Sequence, residues 1–378
     1  MNPPSMPRTN DASFQATIDI APGPAAICSQ PVQTVSLQFR STVGQMRRPL
    51  PYAEGWFLGC FADELRPGQV LTVPFMGQEL VLYRTQAGLA RVIEPYCPHL
   101  GAHLGHGGKV DGENLVCPLH GLAYGPDGGC VRTGHGERPP RAALTARHTK
   151  EVNGAILVWV DHAGRPPTWD VPAHDLDGFS SACYIHRELG GYAHDAVENG
   201  VDLVHFGWLH GLTDLHMSHR IDGCTFETSI SARWKGLRFC GKFTNYGVGY
   251  VIGAFEMPDL GISLQTPVYF TQIAPLKWKL AVADRLRIAW VNQRLPLLKT
   301  AIYAVLAPLA SRWMRWFIEP DFPIWNAKSF LRHPRLTAGD KTLVVHRRWA
   351  SQFYPGGLLD DPEATGRPAP AAEERKRA

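Results

Sequence analysis

The chain has 378 residues, 44% hydrophobic and 19% charged, with a formal net charge of +4. That is the profile of a folded chain long enough for two ordinary domains, and it excludes a disordered one. The charge is too slight and too diffuse for a nucleic-acid partner, since the only dense run, residues 373–377, reads as a solvated end.

Residues 1–44 are rich in Pro, Ser, Thr and Gln and read as a disordered leader, without the apolar stretch behind a basic start that a signal peptide needs. Residues 46–165 read as a small all-β domain of short strands. Gly55-Trp56-Phe57-Leu58-Gly59, Glu79-Leu80-Val81-Leu82-Tyr83 and Ala155-Ile156-Leu157-Val158-Trp159-Val160 are examples, with turns at Pro67-Gly68 and Pro126-Asp127-Gly128-Gly129. A Pro-rich stretch from Gly164 to Pro172 follows as a linker. A second domain is expected over 175–355. It is partly helical across 186–212, then strand-like over 221–290 as a larger antiparallel sheet, then helical over 293–318 and 321–331. Residues 363–378 read as a disordered tail. The longest uncharged apolar run, residues 300–311, is shorter than the roughly 20 residues a membrane span requires. A cytoplasmic location is therefore expected, with the eight cysteines serving as thiols or metal ligands rather than disulfides.

Cys97-Pro98-His99 is followed, after 17 residues, by Cys117-Pro118-Leu119-His120. A zinc site accepts the same ligand types. Each loop here supplies one Cys and one His, however, whereas a zinc finger pairs Cys with Cys and His with His. Both loops contain Pro, glycines surround them, and no helical pattern follows the second. A [2Fe–2S] cluster with two Cys on one iron and two His on the other needs this mixed arrangement, and the neutral imidazoles raise its reduction potential. The spacing predicts such a cluster. His103 and His106 are out of register and read as polar loop residues. Cys28, Cys60, Cys130, Cys183, Cys224 and Cys240 read as small core residues.

Asp202, His205 and His210 form the pattern D-x-x-H-x-x-x-x-H. Two imidazoles close in sequence plus a distant carboxylate make the facial triad of non-haem Fe(II) oxygenases, which leaves positions open for O2 and substrate. At about 100° per residue, Asp202 and His205 share a helix face, but His210 lies roughly 140° round from His205. The helix must end, bend or bulge between the two histidines, and Gly207 offers the place. The carboxylate must come from downstream: Asp259, Asp284, Glu319, Asp321 or Asp340. Asp321 follows Pro320, where a helix can begin, but the helix dipole favours a carboxylate there in any case, so Glu319 stays open.

Taken together, residues 46–355 resemble the oxygenase components of Rieske non-haem iron oxygenases, and within them the steroid-acting branch of 3-ketosteroid 9α-hydroxylases and cholesterol 7-desaturases. The resemblance is carried by Tyr96-Cys97-Pro98-His99-Leu100-Gly101-Ala102-His103-Leu104, by residues 198–210, by Asp321-Phe322-Pro323-Ile324-Trp325-Asn326, and by residues 346–354. It implies an α+β protein: a small all-β Rieske domain followed by a helix-grip catalytic domain. It implies that Cys97, His99, Cys117 and His120 hold the cluster and that His205, His210 and Asp321 hold the iron. Asn199 and Asp202 are then catalytic residues, with Asp202 bridging an iron ligand and a cluster ligand of a neighbouring subunit in a head-to-tail homotrimer. Electrons cross between chains because the two sites of one subunit lie too far apart.

On this reading a ferredoxin or flavin reductase component, fed by NAD(P)H, reduces the cluster, and the iron uses O2 to oxidise a C–H bond of a steroid or sterol. Hydroxylation, C-7 desaturation and demethylation all fit. The competing readings are an electron carrier using the Rieske-type domain alone, an oxygenase of another hydrophobic substrate, and a zinc-stabilised binding module. Phe206, Trp208, Trp313, Trp316 and Phe317 suggest an apolar pocket or its entrance. Residues 295–318 read first as a lid over it, second as a peripheral membrane contact and third as a buried helix.

Overall fold

The computed structural model describes residues 47–357, so the expected leader at 1–44 and tail at 363–378 lie outside the described residues. The first half gives ten strands, the longer of them on apolar runs broken at turn residues. They are β1 (Gly55–Phe61), β2 (Val70–Phe75), β3 (Gln78–Arg84), β4 (Ala90–Ile93), β5 (Lys109–Asp111), β6 (Asn114–Val116), β7 (Ala123–Tyr124), β8 (Cys130–Arg132), β9 (Thr149–Val152) and β10 (Ala155–Val160). They form three small sheets, β1-β10-β9, β2-β3-β4 and β5-β6-β7-β8, every pair antiparallel. β3 and β10 are buried along nearly their whole length, which is why they read as continuous apolar runs rather than alternating ones.

The second half begins with β11 (Cys183–Gly190), then α1 (Ala193–Asn199) and α2 (Leu203–Trp208). Six strands follow: β12 (Leu212–Asp222), β13 (Thr225–Trp234), β14 (Leu237–Tyr246), β15 (Tyr250–Met257), β16 (Ile262–Ala274) and β17 (Lys277–Ile288). With β11 they make one seven-stranded antiparallel sheet in the order β11-β17-β16-β15-β14-β13-β12. The chain ends in α3 (Ala289–Arg294), α4 (Lys299–Ile318), α5 (Asp321–Ala327) and α6 (Lys341–Ala350).

Three expectations shift. Residues 186–190 are strand, not helix, because Ile185 and Leu189 alternate inward and β11 pairs with β17 along its full length. The helix expected over 293–318 is two helices. Pro296 has no N–H to donate and biases Leu295 away from helical geometry, and Leu295 sits at φ −130°, ψ 46°. The next helix stops at Ala327, four residues short of the expected end.

The two halves share a hydrophobic core. Phe57, Leu80 and Leu82 pack in one cluster with Phe226, Trp349 and Phe353. A second core inside the first half gathers Val81, Leu104, Leu115 and Tyr124 around Cys97 and Cys117. A third lies between the large sheet and the helices, where Val251, Phe270 and Leu280 meet Val197 of α1 and Phe322 and Trp325 of α5. Among the described residues no helix is long and apolar enough to cross a membrane.

Candidate active site

Cys97 and His99 sit in the loop after β4, Cys117 and His120 in the loop after β6. Both loops close on themselves in the same way: Gly101 N–H donates to Cys97 O at 2.9 Å, and Gly121 N–H donates to Cys117 O at 3.1 Å. Gly121 has φ +67°, and a Cβ there would meet the Gly134 backbone at 3.0 Å, so the turn needs glycine. Both sulfurs are buried in the core, whereas the His99 and His120 rings face each other near the surface with centroids 4.8 Å apart. Four donors around one zinc would all lie within about 4 Å of each other. No three of these four do so within 4.8 Å, which fits a cluster with sulfur ligands on one metal and imidazoles on a second. His103 stays out of the site, with Nε2 3.2 Å from Glu79 Oε2 and Nδ1 accepting from Gly105 N–H, and His106 is exposed.

One contributor is invisible to motif spacing. The Tyr124 hydroxyl lies 3.0 Å from Cys97 Sγ. Burial and the bond to Cys97 push its pKa up, so it remains a donor toward the sulfur. A hydrogen bond to a ligand sulfur draws charge from it and favours the reduced cluster. Burial likewise pushes the Cys117 thiol up.

The second constellation assembles from three elements. Asp202 is the N-cap of α2 rather than part of the helix, with Oδ1 accepting from His205 N–H at 3.0 Å. α2 ends at Trp208, so the required break falls between the two histidines and His210 lies beyond the helix. Asp321 is the first residue of α5. His205 Nε2 and His210 Nε2 are 3.0 Å apart, and the Asp321 carboxylate oxygens lie 3.1 Å from the first and 3.4 Å from the second. Donors at about 2.1 Å from one metal and roughly at right angles would be about 3.0 Å apart, so the three suit a facial triad. Burial pushes the Asp321 carboxyl up, but the two imidazoles outweigh it and hold its pKa below the usual carboxylate value. Asn199, the last residue of α1, donates to Asp321 Oδ1 at 3.1 Å and fixes the carboxylate. The His210 ring stacks on Phe317 of α4, centroids 4.3 Å apart.

The other carboxylates lie elsewhere. Glu319 caps the C-terminal end of α4 beside Arg315, Asp259 pairs with Arg238, Asp284 binds Ser311 and Thr266, and Asp340 binds Thr337. A second buried donor group, His194 and Glu198 of α1 with His346 of α6, lies between those two helices. There the Arg347 guanidinium holds the Glu198 carboxylate with two bonds, at 2.6 and 2.9 Å, so a cation is already present.

The triad forms one wall of a cavity with about 930 Å³ of empty space, its mouth included, within the range that takes drug-sized ligands. Strands β14 to β17 make the floor, and α1, α2, α4 and α5 the roof. Phe206, Trp313 and Phe317 line it as expected, but Trp208 (90% exposed) and Trp316 point to solvent. Of the cysteines expected in the core, Cys60 is buried, Cys130, Cys183 and Cys224 are partly so, Cys240 is exposed on β14, and Cys28 lies outside the described residues.

Residues 55–144 match the Rieske [2Fe-2S] domain family, and residues 158–354, more than half the chain, match the 3-ketosteroid 9α-hydroxylase C-terminal domain family. The chain is 30% identical to a cholesterol 7-desaturase of Bombyx mori, covering 81% of this chain and 70% of that protein. It is 25% identical to the oxygenase component of a 3-ketosteroid-9-alpha-monooxygenase of Rhodococcus rhodochrous, covering 81% and 82%. The fold matches dicamba monooxygenase bound to dicamba, with TM-score 0.57, 17% identity and coverage of 80% and 97%. It also matches the Pseudomonas putida CBB5 protein NdmA, solved as a mutant with theobromine, with TM-score 0.60, 15% identity and coverage of 78% and 88%. A pair of Cys/His loops with sulfur inside and imidazole outside, three converging donors on a cavity wall and the family matches point the same way: the chain belongs to the Rieske non-haem iron oxygenases, iron-dependent oxidoreductases, and to the group whose catalytic half is the 3-ketosteroid 9α-hydroxylase C-terminal domain.

Proposed function

We propose that the chain is the terminal oxygenase of a reductase-fed system that oxidises a C–H bond of a steroid or sterol. The observation that carries this is the His205–His210–Asp321 triad set into the wall of a largely apolar cavity. Cys97, His99, Cys117 and His120 hold the [2Fe–2S] cluster, and the triad holds the iron. When bound, that iron supplies the O2 chemistry at the positions its three ligands leave open. The chain's own residues prepare the place: Asn199 orients Asp321, Phe317 fixes the plane of His210, and the aromatic walls exclude water. A cavity with few polar groups suits a rigid hydrocarbon skeleton, and the named relatives act on cholesterol and 3-ketosteroids.

The working unit in this reading is a head-to-tail homotrimer, with residues 46–165 as the Rieske domain and 175–355 as the catalytic domain. Two exposed patches support it. Leu100 and Leu119 adjoin the cluster histidines in sequence and are exposed, and so are Val204 and Trp208 of α2, the helix that Asp202 caps. Asp202 Oδ1 is used by the helix cap, so Oδ2 is the atom free to meet a cluster histidine of the next copy. Electrons would come from a ferredoxin or flavin reductase component that draws on NAD(P)H.

Helix α4 serves as a lid, its inner face placing Met314 and Phe317 on the cavity. On the opposite side Leu298, Val305, Leu309 and Trp316 recur within about 20° of one line along the helix, all exposed, with Arg312 and Arg315 nearby. That stripe supports peripheral contact of a cytoplasmic protein with an anionic membrane. Sedimentation with anionic liposomes tests it, and a protein that stays in the supernatant would end the idea. For the central reading, iron and zinc content with an absorbance spectrum decides. A brown protein with about three irons per chain is expected, whereas a colourless zinc protein, or one with two irons and no third, would overturn it.

A further inference from the structure

None of the residues that line the cavity is exposed, so a ligand with the cross-section of a steroid enters only if a wall residue moves. The α4 backbone is a poor candidate for that movement, because its inner side is tied to β17 and α3. The Tyr303 hydroxyl accepts from Ile288 N–H at 2.9 Å and donates to Asn292 Oδ1 at 2.8 Å. Eight residues on, Ser311 donates to Asp284 Oδ2 at 2.7 Å. The movable part must be a side chain.

A shallow depression on the outer surface of α4 is lined by Leu309, Arg312, Trp313, Arg315, Trp316 and Glu319. Among the described residues, Trp313 is the one side chain that lines both this depression and the cavity. Helix geometry gives the reason. At about 100° per residue, Trp313 lies about 40° from Phe317, which faces the cavity, and about 40° the other way from Leu309, which faces out. Its indole is thus the partition between the two spaces. That partition is held only by ring contacts. The indoles of Trp56, Trp159, Trp278 and Trp349 each donate to a backbone carbonyl, as buried indoles usually do. The Trp313 indole has no hydrogen-bond partner among the described residues and rests on Trp234 and Phe317, with ring centroids 5.3 and 5.5 Å away.

We propose that Trp313 is the gate of the cavity and that the steroid passes it from an anionic lipid surface. The proposal rests on the steroid-oxidising function and the membrane contact put forward above, and adds to them the route of entry. The outer side of the gate carries what a lipid contact needs. Leu309 and Trp316 beside it are exposed, and the cations around it are Arg312, Arg315 and Lys235, the last with Nζ 4.8 Å from the Trp234 ring. Glu319 is the one carboxylate in the depression, and it lies 4.0 Å from Arg315. An apolar ligand partitions into a bilayer rather than water, so a gate facing the bilayer spares it the aqueous step.

The test is rapid-mixing kinetics of the holoenzyme. Progesterone in buffer gives the entry and exit rates, read by tryptophan quenching, to which Trp325 on the cavity wall contributes in every variant. Trp313→Ala is expected to raise both rates about tenfold and leave their ratio within about threefold, inside the roughly one to three decades that association rates span among variants of one site. Trp313→Phe, a smaller cut in the same wall, should raise both by less. A wall residue that only makes contacts would change exit alone, and that result, or unchanged rates in both variants, overturns the gate. The lipid side is read with dehydroergosterol in vesicles carrying dansyl-phosphatidylethanolamine, where loss of energy transfer marks sterol leaving the bilayer. Wild type should draw the sterol faster from vesicles containing phosphatidylserine than from neutral phosphatidylcholine. The double variant Arg312→Gln, Arg315→Gln should lose that advantage, by about fivefold per charge. Equal transfer to wild type from both kinds of vesicle overturns the lipid route. If neither progesterone nor dehydroergosterol binds wild type, the steroid reading falls and takes the gate with it, an outcome distinct from binding with unaltered rates in the variants.

Discussion

Replacing Asp202 separates its observed role as a helix cap from its proposed role as an inter-subunit bridge. Oδ1 caps α2 by accepting from His205 N–H at 3.0 Å, and Oδ2 is the oxygen proposed to meet a cluster histidine of the neighbouring subunit. Asn caps a helix about as well as Asp, so Asp202→Asn should cost only a few tenths of a kcal/mol. Asp202→Ala removes the cap, at about 1 kcal/mol, which at about 2.1 cal/mol/K per residue over a folded unit of this size lowers Tm by about 1–2 °C. Both changes remove the carboxylate, and loss of a group that supports metal ligands costs about 10- to 100-fold. The assay is stopped-flow reoxidation of the reduced cluster in the presence of substrate and O2, beside calorimetry of the same samples. The account predicts that both variants lose electron transfer while only the alanine variant loses Tm. An asparagine variant that reoxidises at the wild-type rate would reduce Asp202 to a helix cap.

Three further outcomes follow from buried groups. Arg347→Met strands the Glu198 carboxylate, which burial pushes up but which His194 and Arg347 hold well below the ordinary range. Removing one partner of such a pair costs about 3–5 kcal/mol, and calorimetry of the variant should show it; an unchanged Tm would contradict the buried pair. Asp284 is buried with hydroxyl partners and no cation, and its pKa is raised to about 6. The native state therefore holds this proton more tightly than the unfolded one. Its penalty is absent below about pH 4, grows as pH rises to 6 and levels off near 3 kcal/mol above that. Asp284→Asn should raise Tm at pH 7.5 and leave it nearly unchanged at pH 4, and a pH-independent difference would contradict the assignment. Tyr124→Phe removes the bond to Cys97 Sγ and should lower the cluster potential by about 20–60 mV, measured by redox titration, with no shift expected if the hydroxyl does not donate.

The sites were more legible than the geometry that serves them. The mixed Cys/His spacing stated the cluster outright, because only the two short loops at Cys97 and Cys117 need to meet. The triad needed the helix break between His205 and His210, which angular arithmetic demanded and the end of α2 at Trp208 supplies. What stayed hidden came from contacts distant in sequence. Tyr124 reaches Cys97 only because β6 and β7 pair behind the cluster loops. Asn245 reaches His346 across 101 residues, and no local pattern marks either. Residues 186–190 misled in the opposite sense: a stretch read with the helices around the triad is the strand β11, held by pairing with β17. Apolar character predicted that α4 mattered but could not say that one side faces the cavity and the other faces out.

The account turns on whether electrons delivered to the cluster emerge as oxidised steroid. The direct measurement is O2 uptake with product analysis by mass spectrometry, using the purified protein, a surrogate reductase with NADH, and a panel of sterols and 3-ketosteroids. The prediction is O2 consumption matched to a product altered by one oxygen atom or two hydrogens, abolished in His205→Ala although its cluster still reduces. Cluster reduction with no product from any steroid, or undiminished turnover in the His205→Ala protein, would contradict it.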